Sequence, residues 1–249
     1  MLISIITITY QSVATLKETV NSVLSQSCKN LEYIIVDGGS NDGTIEFLNQ
    51  QGDKIRWISE PDHGIYNALN KGIMLAKGDY IGFLHSDDIF GNEQIIEKIY
   101  NTAKNNNPDI IYGDLEYVYK SDTEKVLRYW KSCDFKQGLL QRGWMPPHPT
   151  VYIKKAWYTK IGGFNETFKI AADYEFMLRL FSQPDIKTCH INDVVVKMRT
   201  GGTSNRSLSN VIQKMKEDYK ALKLNKIGGI YSLLLKNLSK FNQFTSRKP

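Results

Sequence analysis

The side chains best suited to chemistry in this chain are carboxylates at the ends of apolar runs. Asp87 and Asp88 are adjacent and follow Tyr80-Ile-Gly-Phe-Leu; Asp37 follows Leu31-Glu-Tyr-Ile-Ile-Val, and Thr9-Tyr10 follows Ile3-Ser-Ile-Ile-Thr-Ile. Two neighbouring carboxylates repel each other, so such a pair is tolerated when one accepts hydrogen bonds and the other faces a cation. A hard divalent ion bridging a diphosphate is such a cation, and as a Lewis acid it neutralises charge developing on a leaving diphosphate. By itself an Asp-Asp pair is also an ordinary turn or helix cap. The turn Asp37-Gly38-Gly39 is glycine-rich but matches neither GxGxxG nor GxxxxGK, which disfavours a dinucleotide or ATP site.

Strand ends converge only if the strands run the same way, and the pattern between them supplies that arrangement. Ile3 to Thr9 reads as a central strand, Ser12 to Gln26 has apolar residues at helical spacing, Leu31 to Asp37 is a second strand, and Thr44 to Gln51 a second helix. Ile55–Ser59, a helix near Ile65–Ala76, the strand Tyr80–Leu84 and a helix near Glu93–Lys104 continue the alternation. This predicts an α/β fold, with a mostly parallel Rossmann-like sheet covered by helices on both faces and ligands bound at the carboxyl ends of its strands. Shorter strands near Ile110–Tyr112, Tyr117–Tyr119 and Val126–Tyr129 predict a small antiparallel extension. Trp144-Met-Pro-Pro-His148-Pro-Thr is a proline-braced loop, and Ala171-Ala-Asp173-Tyr-Glu opens a helix.

A chain of 249 residues with 41% hydrophobic and 23% charged residues suits one main globular domain. Cys28, Cys133 and Cys189 are dispersed, without the spacing of a disulfide framework or zinc site, and fit a reducing compartment. The first residues lack the basic and small-residue features of a signal peptide. The net charge of +6 is concentrated at the C-terminus, where residues 211–249 hold nine Lys or Arg against two acidic residues. That asymmetry argues against a nucleic-acid-binding body. The expected organisation is a main domain over 1–210 and a basic amphipathic tail over 211–249, in which Ile230 to Phe244 resembles an interfacial helix.

Taken together, Ile-Thr-Ile-Thr9-Tyr10, Ile-Ile-Val-Asp37-Gly-Gly-Ser-Asn-Asp42-Gly-Thr, Glu60-Pro-Asp-His-Gly-Ile-Tyr, Asn70-Lys-Gly-Ile, Ala76-Lys-Gly-Asp-Tyr-Ile and Leu84-His-Ser-Asp87-Asp88 resemble glycosyltransferase family 2. The resemblance spans roughly residues 1–200. It implies a GT-A fold, inverting transfer and a nucleotide-sugar donor, with a UDP-sugar expected. It also implies roles: Thr9, Tyr10 and Asp37 hold the nucleobase region, Asp87 the ribose, and Asp88 Mn²⁺ or Mg²⁺. Many relatives have a second Asp after position 37 and Asn or Asp before the acidic pair, whereas Gly38 and His85-Ser86 stand here.

Inverting transfer needs a base for the acceptor hydroxyl. The resemblance assigns that role to Asp173, with Glu175 and Arg179 at the family's offsets and Ala172 where a Glu is usual, and it places Glu175 against the acceptor or behind the residues that meet it; the plainer reading of Asp173 is a carboxylate complementing a helix dipole. His148 either lines the acceptor cleft, completes a metal shell, or is a structural loop residue. Trp144 is either a platform for an acceptor sugar or core packing. His63 is placed near the diphosphate, His190 on a late strand without chemistry, and Arg199 and Arg206 beside a loop that either closes over the donor or is merely flexible. Expected partners are a nucleotide sugar, a glycan or lipid-linked acceptor of bacterial polysaccharide synthesis, and an anionic membrane surface met by the tail, at the cytoplasmic face of the plasma membrane. A nucleotidyltransferase is disfavoured because no basic phosphate clamp follows the first strand. A catalytically silent carbohydrate-binding protein of the same fold is the alternative from another class.

Overall fold

The computed structural model describes residues 1–201 and 208–245. β1 (Ile3–Thr9) is buried at nearly every position, as expected of a β-branched run covered on both faces. β2 (Leu31–Asp37) and β4 (Tyr80–Phe83) lie parallel on either side of it, and β3 (Arg56–Ser59) adds in parallel beyond β2. In the register Thr9 pairs with Asp37 and Asp37 with Ser59, so three strands end level and place these residues in a row on one sheet edge.

Alternate side chains of these strands face opposite layers. Ile6, Ile34 and Val36 join Leu69 and Ile73 of α3 (Ile65–Leu75) in one core, while Ile5, Tyr33 and Ile35 join Leu16 and Val20 of α1 (Val13–Leu24) in the other. α2 (Thr44–Asn49) and α4 (Ile95–Asn106) complete this half.

Beyond β4 the sheet becomes mixed. β8 (Tyr152–Lys154) runs antiparallel between β4 and β6 (Ile110–Tyr119); β9 (Thr188–Arg199) is parallel to β6, and β5 (Ile89–Phe90) antiparallel to β9. The order is β3-β2-β1-β4-β8-β6-β9-β5, with β7 (Asp122–Trp130) forming an antiparallel hairpin with β6. The two short strands expected within 110–119 are one strand. Gly113 and Asp114 do not interrupt it, because a β-carbon at 113 would press to 2.8 Å from the Asp193 carbonyl and Asp114 is satisfied inside the fold. Its carboxylate accepts from the Tyr129 hydroxyl, the Ser132 N–H at 2.8 Å and His190 at 3.0 Å.

α5 (Lys155–Ile161) and α6 (Ala172–Phe181) follow β8. The segment expected as a tail forms α7 (Leu208–Leu224) and α8 (Ile230–Thr245), and Ala221, Leu222, Ile227 and Leu233 are buried in the same core as Tyr174 and Phe176 of α6. Among the described residues no helix is long and apolar enough to cross a membrane.

Candidate active site

The chain steps outward from β1 to β2 and β3, then returns to the other side of β1 as β4, which opens a crevice at the carboxyl ends between β1 and β4. On one side lies Asp37, completely buried. Its Oδ2 accepts the N–H groups of Gly39 and Ser40 at 2.9 Å each and the Ser59 hydroxyl at 2.7 Å, and its Oδ1 accepts the Ser40 hydroxyl at 2.5 Å. The carboxylate therefore shapes the β2–α2 loop. Gln11, in the left-handed region at φ 51°, donates its N–H to Ser40 Oγ at 2.8 Å and joins that loop to the end of β1. Tyr10 is 63% exposed, and the Thr9 hydroxyl is buried with no hydrogen-bond partner among the described residues.

Gly38 is explained by what surrounds it. A β-carbon there would lie 3.1 Å from Asp62 Oδ2 and 3.3 Å from the Tyr10 ring, so a carboxylate from the β3–α3 loop already occupies the space beside it. Lys71 fixes that loop through Asp62 at 2.7 Å and Glu60 at 2.8 Å. Its neighbours in the Asn70-Lys71-Gly72 run are structural: Asn70 exchanges two 2.9 Å hydrogen bonds with the Phe164 backbone, and Gly72 lets α3 approach Ile6 of β1.

Beyond β4, Asp88 is 1% exposed. Its Oδ1 accepts the Arg199 N–H at 3.1 Å, while its Oδ2 is buried without a hydrogen bond among the described residues. Burial, then the charge of Asp87, push its pKa well above the usual carboxylate range against the pull of Arg199. The Arg199 guanidinium donates to the Asp87 carbonyl at 2.6 Å and pairs with Glu18. Arg199 is thus a buried residue at the end of β9 that braces the acidic loop; the stretch it flanks and Arg206 lie largely outside the described residues.

The opposite wall is formed by Asp173 in the first turn of α6. Its Oδ2 is 3.5 Å from His148 Nδ1, and its Oδ1 is 3.3 Å from the Tyr66 hydroxyl, which also donates to the Ile170 carbonyl at 2.7 Å. His148 Nε2 is in turn 3.2 Å from His85 Nε2. Burial, then the neighbouring His148, lower His85 to about 3; burial also lowers His148, although Asp173 pulls it back up. Both imidazoles are therefore neutral at neutral pH. A proton on His148 Nδ1 facing Asp173 leaves its Nε2 to accept the Nε2–H of His85. His85 is the functional candidate that sequence reasoning passed over, registering it only as a departure from the acidic position of relatives.

The other candidate residues are placed as follows by their contacts. Glu175 is buried with its carboxylate on the Arg179 guanidinium at 3.0 and 2.9 Å, and Arg179 extends to the carbonyls of Ile161 and Gly163, so the pair clips α6 to the preceding loop and does not face an acceptor. The Trp144 ring is engaged by Tyr112, Phe135 and Phe181 at centroid distances of 5.9, 5.6 and 5.6 Å, which fits the core-packing alternative. His63 is exposed on the β3–α3 loop. His190 lies on β9, where it stacks on Tyr112 at 5.5 Å.

The sequence profile of glycosyl transferase family 2 matches residues 4–171. A PGL/p-HBAD biosynthesis glycosyltransferase of Mycobacterium tuberculosis is 29% identical over 208 residues, covering 81% of this chain and 78% of the relative. An uncharacterized glycosyltransferase of Rickettsia typhi is 30% identical over 232 residues, 89% of this chain and 70% of the relative. The crystal structure of S. aureus TarS 1-349 in complex with UDP-GlcNAc matches with a TM-score of 0.70 at 17% identity; the match covers 90% of this chain and 65% of that one, a likeness of fold.

Proposed function

The chain belongs to glycosyl transferase family 2 and has the GT-A fold, and from that premise we propose that it is an inverting transferase moving a hexose or N-acetylhexosamine from a UDP-sugar to a glycan or lipid-linked acceptor of bacterial polysaccharide synthesis. One observation carries the reading. His85, on the loop that leads into Asp87 and Asp88, touches His148, and His148 reaches Asp173, so the two imidazoles bridge the candidate donor loop and the candidate base helix into one site.

In this reading Tyr10 and the unpartnered Thr9 hydroxyl meet the nucleoside beside the loop that Asp37 organises, and Asp87 holds the ribose. Asp173 accepts the proton of the acceptor hydroxyl as that oxygen bonds to the anomeric carbon from the side opposite the diphosphate. The sugar–phosphate bond breaks, and its electron pair leaves with the nucleoside diphosphate. His148 orients the Asp173 carboxylate. The residues present fit a hard divalent cation, because Asp88 Oδ2 is a buried carboxylate oxygen with no partner and a second carboxylate adjoins it. Mn²⁺ or Mg²⁺ held by Asp88 would supply positive charge towards the diphosphate. The UDP-GlcNAc complex of TarS supports a UDP-sugar, and the name of the mycobacterial relative supports a biosynthetic role.

A peripheral place at the inner leaflet completes the proposal. Ile230, Tyr231, Leu234 and Leu238 are exposed at helical spacing along α8, within a segment that carries nine Lys or Arg, of which Lys214 and Lys236 are turned inward onto Asp218. Each basic residue near an anionic surface contributes about 1 kcal/mol.

The test is a thermal-shift and UDP-release screen of the purified chain against UDP-sugars, with and without Mn²⁺. Metal-dependent stabilisation by one UDP-sugar with slow UDP release is expected. Silence towards every UDP-sugar with Mn²⁺ present would overturn the donor assignment.

A further inference from the structure

The helix that carries Asp173 does not secure its own start. Its N-cap, Ala171, has no side-chain cap, and Lys169-Ile170-Ala171 leads into it with three backbone N–H groups to satisfy. One side chain from α7 meets all three: Glu217 Oε1 accepts from Lys169 at 3.0 Å, and Oε2 accepts from Ile170 and Ala171 at 2.9 Å each. Gln213, one turn earlier on α7, donates to Oε1 at 2.8 Å. Glu217 is 5% exposed. Burial alone would raise its carboxyl, but the hydrogen bonds from Gln213 and the three amides outweigh it and hold the group below the ordinary value of 4.5.

The same peptide is held from its other side. The Ile170 carbonyl accepts the Tyr66 hydroxyl at 2.7 Å, so residue 170 is clamped at its N–H by α7 and at its C=O by α3. Asp173 stands three residues further on. A base has to sit within roughly 0.5 Å of its productive position, and displacement by about 1 Å can cost about a hundredfold in rate.

We propose that Glu217 is a positioning residue: through the Lys169–Ala171 turn it sets where the Asp173 carboxylate stands, which makes α7 part of the transfer machinery. The proposal rests on the reading of Asp173 as the base, and its test separates the two.

In the full chain, Glu217→Gln, Asp173→Asn and the double variant are compared by amide hydrogen exchange over residues 169–173 and by UDP release from the UDP-sugar that the screen selects. Glu217→Gln is expected to speed exchange of the 169–171 amides by about tenfold or more while β1 and β2 stay protected. It is expected to lower kcat by roughly tenfold to a hundredfold with the donor KM within about twofold. On top of Asp173→Asn it should cost nothing further, because it acts through that carboxylate. Wild-type kcat in Glu217→Gln beside an inactive Asp173→Asn, or an equal loss in both backgrounds, would overturn the positioning role. An active Asp173→Asn would instead remove the base assignment, with exchange still reporting on the clamp. If Glu217→Gln does not fold, Gln213→Ala removes a single bond to Oε1 and should show the same kcat-selective pattern, about two- to fivefold; wild-type kcat there counts against the proposal.

Discussion

Gly38 and Asp62 show one loop filling the space beside a residue of another that has no side chain. The position after Asp37 holds no side chain, yet a carboxylate stands beside it, delivered by the β3–α3 loop and fixed by Lys71. Gly38→Ala should therefore displace Asp62 and the Tyr10 ring by a few tenths of an ångström. We expect UDP affinity by isothermal titration to fall about three- to tenfold with little change in melting temperature, about the size of one weakened hydrogen bond. Asp173→Asn tests the other wall: turnover should drop by about 10² to 10⁴ while UDP affinity is kept, since general-base catalysis contributes on that order and the donor contacts lie elsewhere.

At the scale of elements, the joint between α6, α7 and α8 is ionic and dry. Asp218 lies between two ammonium groups, Lys214 at 3.0 Å and Lys236 at 2.8 Å, and Lys236 also sits over the Tyr174 ring. Burial and the charge of Lys214 push Lys236 down to about 7. Burial alone would raise Asp218, but the two lysines hold it below the ordinary range. Asp218→Asn leaves two cations unbalanced and should cost about 3–5 kcal/mol in urea unfolding, whereas Lys236→Met keeps the Lys214 pair and should cost less than about 1 kcal/mol. Glu217 and Asp218 both titrate lower in the folded chain than in the unfolded one. Their stabilisation is complete above the ordinary values of 4.5 and 3.8 and is lost as pH falls through the folded values. Stability measured from pH 6 down to pH 3 should accordingly fall less steeply in Glu217→Gln than in the wild type.

How far these elements were legible in the sequence follows from their physics. β1 to β4 and α1 to α4 announce themselves because local periodicity and loop chemistry agree there. β8 is three residues long and pairs only through tertiary context, so nothing local marks it. Within β6, Gly113 and Asp114 resemble a break because the strand they pair with, β9, is remote in sequence. The acidic pair and Asp173 are singled out as candidates by residue type and order. The alternatives for Arg199, Trp144 and Glu175 stay open in the sequence because a charged or aromatic residue near a site looks the same whether it faces a ligand or a neighbouring element. His85 and Glu217 went unnoticed for the complementary reason that their partners, His148 and the 169–171 amides, are distant along the chain.

For the whole molecule, the exposed stripe on α8 and the buried side of the same helices must be tested separately. Removing everything after Asn210 would take away Ala221, Leu222, Ile227 and Leu233 from the core together with Glu217, so such a chain should lose cooperative unfolding by calorimetry, and its failure to sediment with vesicles would say nothing about lipid. Leu234→Ser with Leu238→Ser changes only exposed positions. That variant should keep the wild-type melting temperature within about 2 °C and lose most of its sedimentation with phosphatidylglycerol vesicles at low salt. The family profile stops at residue 171, the last residue whose amide Glu217 holds and two short of the carboxylate assigned to proton transfer. A graft or chimaera cut at residue 171 would therefore lose the Asp173 carboxylate and, with β9, the Arg199 contacts that hold the Asp87-Asp88 loop.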